Sequence, residues 1–458
     1  MGDLLGNLSS AARSLDAISV GLQVVGQNFA NAGTAGYSRR VVDYVAVAPT
    51  GRLDAGGGVL AAGIRAPRDL LMERQLLQEQ PMGAREAALA EALGTVEVAL
   101  GDAGQSIDAR LSAFFDSFGR LADEPTSGVA RQEVVVEGEA LADAFRQTAT
   151  RLDQARADAY VGIGSAIDDI NALVERMAQL NAGIVGQPAG SGARLQATDE
   201  LWKAAGELAQ LVNVRVITRG DGALDVTLAD GHALVIGVES YGLSTSIDGT
   251  GRARIESQGA DVTAAVTAGR LGGLLSVRDT LVPEFRARLD DLAAAVVTEV
   301  NSLHQAGFDL SGRQAGAFFA PPGPGGAAAS MAVDPAVAAS PGLVGAAAQA
   351  FAGDNGTARA IAALRDARVL EGGTSTFHDS WANLVYRVGR EAASAADARA
   401  DREATVRQLE ALKDQVSGVS LDEEAANLQR LQRAYEANAR FFTTIDRTLD
   451  VLMQMVAS

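Results

Sequence analysis

The chain has 458 residues, which corresponds to about three domains at roughly 150 residues per domain. Hydrophobic residues make up 47 %, enough for a packed core, and the absence of cysteine excludes disulfides, thiolate nucleophiles and cysteine-ligated metal sites. The 39 Lys and Arg stand against 57 Asp and Glu, and the net charge of −18 disfavours nucleic acid and anionic membranes as partners. We therefore expect protein partners.

The first residues contain no basic segment followed by a continuous apolar run, so a cleaved secretory signal is not expected. No stretch of about 18 apolar residues occurs either, so we expect no membrane insertion. On these facts alone the protein would be cytoplasmic, unless the cell exports it by a route that needs no cleaved signal.

The first predicted element is a helix with a narrow apolar seam. Its apolar residues recur at alternating steps of four and three, the spacing that helix–helix packing requires. We call this set the N-terminal seam; its members are Leu4, Leu8, Ala11, Leu15, Ile18, Leu22, Val25 and Phe29.

Amphipathic spacing predicts further helices through most of the chain, as in an elongated helical bundle. Pro81 is expected to break or kink the first of these segments, which begins near Arg68, because proline lacks the backbone N–H. The predicted helical stripes cover residues 89–100, 134–177, 285–296 and 381–416.

The apolar pattern changes to period two at residue 213. Alternating segments separated by Asp-Gly turns at 221–222 and 230–231 predict a β-meander that continues to about residue 257. Residues 307–372 are mixed, with a Pro- and Gly-rich loop at 321–326 and a short helix at 357–369. We expect one β-containing domain inserted into a helical rod.

The last predicted element is a second helix with four–three spacing, the C-terminal seam. Either seam could pack on a globular core, but two matched seams at opposite ends favour pairing with each other. The polar member, Asn438, either fixes the register of the pair or has a solvated or capping role. The members are Leu428, Leu431, Tyr435, Asn438, Phe442, Ile445, Leu449, Leu452 and Val456.

Segments beside both seams resemble a known signature. Residues 28–40 contain Asn-Phe-Ala-Asn and Gly-Tyr-Ser-Arg-Arg, and residues 417–428 contain Ser-Gly-Val-Ser-Leu-Asp-Glu-Glu. Together with Tyr-Glu-Ala-Asn-Ala-Arg at 435–440, they resemble the terminal signature of flagellar rod, hook and hook-associated axial proteins. The run Val-Asn-Ser-Leu-His-Gln-Ala-Gly-Phe-Asp-Leu-Ser-Gly at 300–312, with Gly-Ala-Phe-Phe at 316–319, resembles the flagellar hook-associated protein 1 (FlgK) family in particular.

The resemblance implies a structural subunit of the hook–filament junction, at the distal end of the hook, that self-assembles through its terminal helices. The implied partners are further copies in the flagellar axis, the hook protein, hook-associated protein 3 and an export chaperone that binds the C-terminal region. The implied location is extracellular, reached through the flagellar type III apparatus without a cleaved signal. The expected assembly interface comprises Leu8, Leu15, Ile18, Leu22, Val25, Phe29, Leu428, Leu431, Tyr435, Asn438, Phe442, Ile445, Leu449 and Leu452.

Two alternatives stay open at this stage. A hook or distal-rod subunit shares the terminal signature, although residues 289–319 argue against it. A soluble coiled-coil scaffold or adhesin would also carry apolar seams.

We predict no enzymatic activity and no catalytic, cofactor-binding or metal-binding residues. Neither of the two lysines follows a glycine, so a phosphate-binding loop is excluded. We expect His304 to be a structural or surface side chain and Tyr37 to have a packing role. The acidic residues 422–424 open a predicted helix, where they favour the helix dipole, and a metal cluster is the less favoured alternative.

The expected fold class is α+β and mainly α, with terminal coiled-coil helices and an elongated bundle carrying an inserted β-rich domain. The N-terminal axial helix is expected at 1–35, paired with a C-terminal axial helix at 421–458. The rod domain is expected at 36–212, 267–306 and 373–420, and the outer domain at 213–266 and 307–372.

Overall fold

The computed structural model describes residues 2–48, 57–100, 106–247, 253–351 and 353–457. The fold is mainly α with a few small antiparallel sheets, as the sequence predicts. The helices in the described residues are α1 (Gly2–Asn31), α2 (Leu70–Leu100), α3 (Ile107–Asp123), α4 (Gly128–Val185), α5 (Gly192–Leu211), α6 (Gly269–Ser276), α7 (Val282–Ala306), α8 (Ala327–Ser330), α9 (Pro335–Ala339), α10 (Gly356–Ala363), α11 (Phe377–Ser417) and α12 (Leu421–Ala457).

The strands of the described residues form three separate antiparallel sheets. The first pairs two strands, the second has the order β3-β4-β5-β6, and the third has the order β7-β8-β9. The strands are β1 (Val41–Ala46), β2 (Val59–Arg65), β3 (Val214–Thr218), β4 (Leu224–Leu228), β5 (Ala233–Ile236), β6 (Glu239–Ser240), β7 (Leu243–Ile247), β8 (Ala253–Ser257) and β9 (Ala260–Asp261).

The chain divides into two compact units. Unit 1 contains residues 1–83, 166–269 and 400–458, and unit 2 contains 84–165 and 270–399. Each unit has one tryptophan, Trp202 in unit 1 and Trp381 in unit 2, and both indoles are buried.

Unit 2 has a core of aliphatic side chains around a cluster of phenylalanines. The Phe318 and Phe319 rings meet edge to face with centroids 4.9 Å apart, and both lie about 5.5 Å from Phe114. Edge-to-face contacts of this kind add to the stability that burial alone supplies. The cluster explains why residues 316–319, which have no helical or strand periodicity, are completely buried at their two aromatic positions.

In unit 1 the second half of α4 packs on the strands through two asparagines. The Asn181 amide donates to the carbonyl oxygen of Leu224 at 2.8 Å and accepts from the Leu224 N–H at 3.0 Å. Asn171 makes the same pair of bonds with the backbone of Leu243. The predicted meander is confirmed for β3 to β6, and Gly222 and Gly231 have the positive φ that its Asp-Gly turns require. Its continuation to about residue 257 was wrong, because β7, β8 and β9 form a separate sheet.

The sequence predicts that Pro81 breaks or kinks its helix, and a break is wrong, because α2 continues through Pro81 from Leu70 to Leu100. A proline inside a helix removes one hydrogen bond of the helix, and the rest of the long element is enough to retain the conformation.

The compact units divide the chain differently from the expected domains. Residues 213–266 lie in unit 1 with both chain ends, whereas 307–372 lie in unit 2. The described part of 307–372 contains short helices and isolated bridges, such as Phe319 with Val333, instead of strands. Its buried side chains belong to the phenylalanine core, which is why it groups with the helices around that core.

Candidate functional site

The two ends of the chain pack against each other in unit 1. Helix α1 lies along α12, and a Cβ atom added to Gly21 would approach Leu431 to 3.2 Å. The segment that follows α1 contacts the start of α12 through Arg39 and Glu424. Together these contacts place the end of α1 beside the start of α12, so the two helices run antiparallel.

The structure brings most of the predicted interface residues to this helix pair. Val25 and Ile445 are buried, and Tyr435 is 43 % exposed. The side chain of Val456 lies outside the described residues. The half-buried members are Leu8, Leu15, Ile18, Leu22, Phe29, Leu428, Leu431, Asn438, Phe442, Leu449 and Leu452.

Two features of the helix pair differ from a simple seam. The Asn438 amide donates to the Ala434 carbonyl of its own helix at 2.9 Å, which is a local role. Helix α1 also packs on the β1–β2 hairpin, where a Cβ added to Gly58 would lie 2.6 Å from the Ser10 carbonyl oxygen. The buried face of α1 is therefore wider than the four–three pattern, and it includes Ala17 and Val24, which the seam omits.

The turn after α1 is held by Asn28. Its side-chain amide donates to the Arg40 carbonyl and accepts from the Arg40 N–H, both at 2.9 Å. The Tyr37 hydroxyl donates to the same amide oxygen at 2.9 Å, and the Arg40 guanidinium lies 5.1 Å from the centre of the Tyr37 ring. Burial raises the pKa of the Tyr37 hydroxyl, so it remains a protonated donor at neutral pH. The role of Tyr37 includes this hydrogen bond as well as packing.

Arg39 joins the two signature segments, and we call its contacts the terminal latch. The guanidinium binds Glu424 at 2.7 Å and Glu423 at 2.9 Å, and the Arg39 N–H donates to the Ser417 carbonyl at 2.9 Å. Glu424 is 1 % exposed, so removal of Arg39 would leave a buried carboxylate without its cation. The acidic first turn of α12 thus binds an arginine in addition to favouring the helix dipole.

A buried ionic cluster lies beneath the latch. Asp199 on α5 binds the guanidinium groups of Arg40 and Arg68, and Arg68 also binds Glu73 at 3.3 Å. Burial raises the pKa of the Asp199 carboxyl, and the neighbouring guanidinium groups oppose that shift. Lys413 on α11 lies 3.8 Å from Glu73. Sequence reasoning missed this cluster, because its five members lie on four separate segments and have no common spacing.

Helix α12 also carries exposed apolar side chains that α1 does not cover. At about 100° per residue, Phe441, Val451 and Met455 form a row on one face, and Met453 lies apart from it. Phe441 is 51 % exposed, Val451 54 %, Met453 66 % and Met455 62 %. An exposed apolar row of this kind is typical of a surface that contacts another protein.

The histidine that the sequence analysis singled out is held in the core of unit 2 by backbone contacts. His304 lies in unit 2, where its Nδ1 is 2.7 Å from the Gly316 carbonyl and its Nε2 accepts from the Gly345 N–H at 2.8 Å. Within the parts of the chain that are described, no group of three acidic or histidine side chains could hold a metal ion. None of the described helices combines the length and apolar character needed to cross a membrane.

Comparisons with known proteins identify flagellar relatives. The family model described as the flagellar hook-associated protein FlgK helical domain matches residues 93–319. The model for the C-terminal part of flagellar basal body rod FlgEFG proteins matches residues 414–455. These matches contain the 300–319 run and the C-terminal seam from Leu428 to Leu452.

Full-length relatives cover nearly all of the chain. Flagellar hook-associated protein 1 of Escherichia coli (strain K12) is 25 % identical over 547 aligned positions, with 98 % of this chain and 99 % of that protein covered. The protein of the same name from Bacillus subtilis (strain 168) is 25 % identical, with 97 % and 96 % covered. In fold, the chain is similar to the flagellar hook junction protein FlgK from Burkholderia pseudomallei, with a TM-score of 0.67, 16 % identity, and coverage of 75 % of this chain and 100 % of that chain.

Proposed function

The chain belongs to the flagellar hook-associated protein 1 family, and on this premise we propose that it is a structural subunit of the hook–filament junction which self-assembles through its terminal helices. The observation that carries the self-assembly proposal is the α1–α12 pair, fastened by the terminal latch, with an apolar outer face on α12.

The pair has the properties that an axial subunit needs. Helix α12 is buried on the side that contacts α1, and its exposed row supplies apolar surface for neighbouring copies. Burial of such side chains contributes roughly 1.5–3 kcal/mol each, so a repeated contact between copies would stabilise a ring or helical array.

The partners follow from the position of the subunit. We propose that the hook protein contacts it on one side and hook-associated protein 3 on the other. A chaperone covers the C-terminal region before export, which proceeds through the flagellar type III apparatus to the outside of the cell without signal cleavage. The apolar row of α12 is a surface that a chaperone would need to protect in the cytoplasm.

The proposed role requires no chemistry. The relatives are structural flagellar proteins, and the ionic and polar clusters described above hold segments of the chain together. We propose that the protein has no enzymatic activity.

Deletion of the gene tests the role. Electron microscopy should show cells with hooks but without filaments, and flagellin should accumulate in the medium. Restoration of filaments by the wild-type chain is the control. Normal filaments in the deletion strain would contradict the proposal. Loss of the hooks themselves would favour a rod or hook subunit, the alternative suggested by the basal body rod match at residues 414–455.

The interface is tested by a pair of adjacent substitutions in α12. Leu449→Asp places a carboxylate in the half-buried seam, whereas Thr448→Asp places the same charge on the exposed face. We expect Leu449→Asp to abolish incorporation into the flagellum and Thr448→Asp to retain it, as measured by immunoblotting of purified hook–filament structures. Equal incorporation of the two variants would exclude the seam as an assembly interface.

A further inference from the structure

A restrained loop of unit 2 presents an aromatic side chain, Phe351, to solvent. Phe351 is 68 % exposed, and its ring lies against Gly353, where an added Cβ would be 3.2 Å away. The Asp354 carboxylate accepts from the Ala348 and Gln349 N–H groups at 2.5 and 2.8 Å, which fixes the start of the loop. An exposed phenylalanine held in this way has little conformational entropy to lose when it binds a partner.

The turn at residues 309–313 lies beside this aromatic. A Cβ added to Gly312 would be 3.9 Å from the Ala350 carbonyl oxygen, and Leu310 on the same turn is partly exposed. The Arg313 guanidinium lies 3.6 Å from Asp309 and its side chain is 72 % exposed. Phe351 and the 309–313 turn therefore lie on neighbouring loops of unit 2. We call the exposed Phe351 side chain the Phe351 knob, and Arg313 on the neighbouring turn carries a positive charge.

Unit 2 also contains an apolar groove. Carboxylates at its rim have the sign of charge opposite to that of Arg313. The groove has a volume of about 250 Å³ and is lined by side chains of α2, α4 and α6, including Ala88, Ala92, Ala155, Ala159 and Leu274. The exposed carboxylates of Glu91 and Asp158 and the side chain of Arg270 lie at its edge. A dry apolar cavity of about 150 Å³ in a protein holds a benzene molecule, so this alanine-lined groove has room for one phenyl ring.

We propose that the Phe351 knob of one copy inserts into the alanine-lined groove of the next copy. The inference rests on the proposed self-assembly and adds to it a contact outside the terminal helices. The ring fills the groove, and Arg313 of the inserting copy faces the two carboxylates of the receiving copy. Knob and groove are different surfaces of the same unit, so the contact is heterologous and repeats from copy to copy.

Single-cysteine variants test the contact directly, because the wild-type chain has no cysteine. Purified full-length Ala350→Cys chains, which keep the Phe351 ring, and Ala155→Cys chains are mixed at high concentration with a short thiol–thiol cross-linker. The same two variants are also co-expressed in the deletion strain, and the cross-linker is applied to its isolated flagella. The control replaces Ala155→Cys by Ala157→Cys, an exposed position on the same helix. A cross-link between two different single-cysteine chains can form only between copies.

We expect a cross-linked dimer with Ala155→Cys, and at least about 10-fold less of it with Ala157→Cys. Incorporation of all three variants into flagella without this difference would overturn the contact. The purified chains could form the cross-link although the protein is absent from isolated flagella. That result would support the contact between copies and contradict the proposed function. The two proposals can therefore fail separately.

A second pair of variants tests the groove without cysteines. Ala155→Phe fills the groove with a ring of its own, whereas Ala157→Phe adds the same ring on the exposed face of α4. Trp381 fluorescence in a Trp202→Phe background establishes that unit 2 is folded in each variant. We expect Ala155→Phe to lower incorporation at least about 30-fold, as loss of a binding hot spot does, and Ala157→Phe to leave it unchanged. Equal incorporation of the two folded variants would contradict the proposal.

Discussion

Single asparagine side chains hold several loops of this protein to its helices. A primary amide has one donor group and one acceptor oxygen, so it can pair with the N–H and C=O of a loop as a neighbouring strand would. Asn301 accepts from the Phe318 and Phe319 N–H groups and donates to the Phe319 carbonyl, all at 2.9 Å. The same device occurs at Asn28, Asn171 and Asn181.

Asn301→Asp should destabilise unit 2 by about 1–3 kcal/mol, because a carboxylate oxygen replaces the donor that faces the Phe319 carbonyl. The measurement is urea unfolding followed by Trp381 fluorescence in a Trp202→Phe background, which leaves one reporter, located in unit 2. Asn383→Asp, at an exposed position of α11, is the matched control and should change stability little. Equal midpoints for the two variants would show that the Asn301 donor is dispensable.

His304 should make unit 2 less stable at mildly acidic pH. Burial lowers the pKa of His304 in the folded protein, whereas the unfolded chain keeps a value of about 6.5. As pH falls below about 6.5, the unfolded state takes up a proton that the folded state does not, so stability is lost; above that pH the group contributes no pH dependence.

The expected effect is at most about 1.4 kcal/mol per pH unit between the two pKa values. Unfolding of unit 2 is measured at pH 5 and pH 7 for the wild-type histidine and for His304→Asn, again with Trp381 as the reporter. The titrating carboxylates are common to both proteins, so the difference between them isolates His304. Parallel pH profiles would contradict the prediction.

At the scale of residues, the sequence identifies the important segments but does not show which contacts their side chains make. The run at 300–319 resembles the family, and in the structure Asn301 and His304 hold the loop of that same run in place. The terminal signature likewise contains both sides of the Arg39–Glu424 pair. Which loop returns to which helix depends on long-range packing, and no local pattern contains that information.

At the scale of elements, the spacing of apolar residues predicts whether a segment is a helix or a strand better than it predicts which segments contact each other. The period-two segments with Asp-Gly turns correspond to β3, β4 and β5. They could be predicted because turn geometry and the alternation of apolar and polar residues depend only on residues close in sequence. The four–three pattern located α1 and α12 but missed the small residues that let α1 approach its neighbours, such as Gly21. The four–three pattern is defined by large apolar side chains only. Close packing of helices also requires small residues, which this pattern does not identify.

Gly21→Leu should separate α1 from its partners. An added Cβ would clash with the Tyr44 hydroxyl oxygen and lie 3.2 Å from Leu431, and overpacking of this kind costs about 1–3 kcal/mol. Gly26→Leu is the matched control, because a Cβ at Gly26 has no neighbour within 4 Å. We expect electron microscopy to show filaments on cells with Gly26→Leu and few or none on cells with Gly21→Leu. Filaments at wild-type frequency in both strains would exclude close packing at Gly21.

At the scale of the molecule, membership of the compact units differs from sequence-based domains. The sequence grouped the β region and the 307–372 segment because both interrupt helical periodicity. The structure assigns them to different units, because the second segment supplies Phe318 and Phe319 to the core of unit 2. Periodicity reports local conformation, whereas unit membership depends on where buried side chains meet.

The free subunit should exchange amide hydrogens rapidly in its terminal helices. The α1–α12 pair leaves one side of α12 apolar and exposed, so without neighbouring copies the pair lacks much of the burial that would offset the entropy of ordering. Hydrogen exchange on purified monomer should show fast exchange across 8–29 and 428–452 beside strong protection in residues 134–165 of α4. Comparable protection in all three segments would show that the ends fold without neighbours.

The terminal latch also has a consequence for folding kinetics. Arg39 and Glu424 are 385 residues apart in sequence, and closing a loop of that length costs about 5 kcal/mol of chain entropy. A contact with so large a contact order forms after the local helices and hairpins. The N-terminal helix therefore docks on α12 late in folding, and we expect the latch to slow unfolding without accelerating folding.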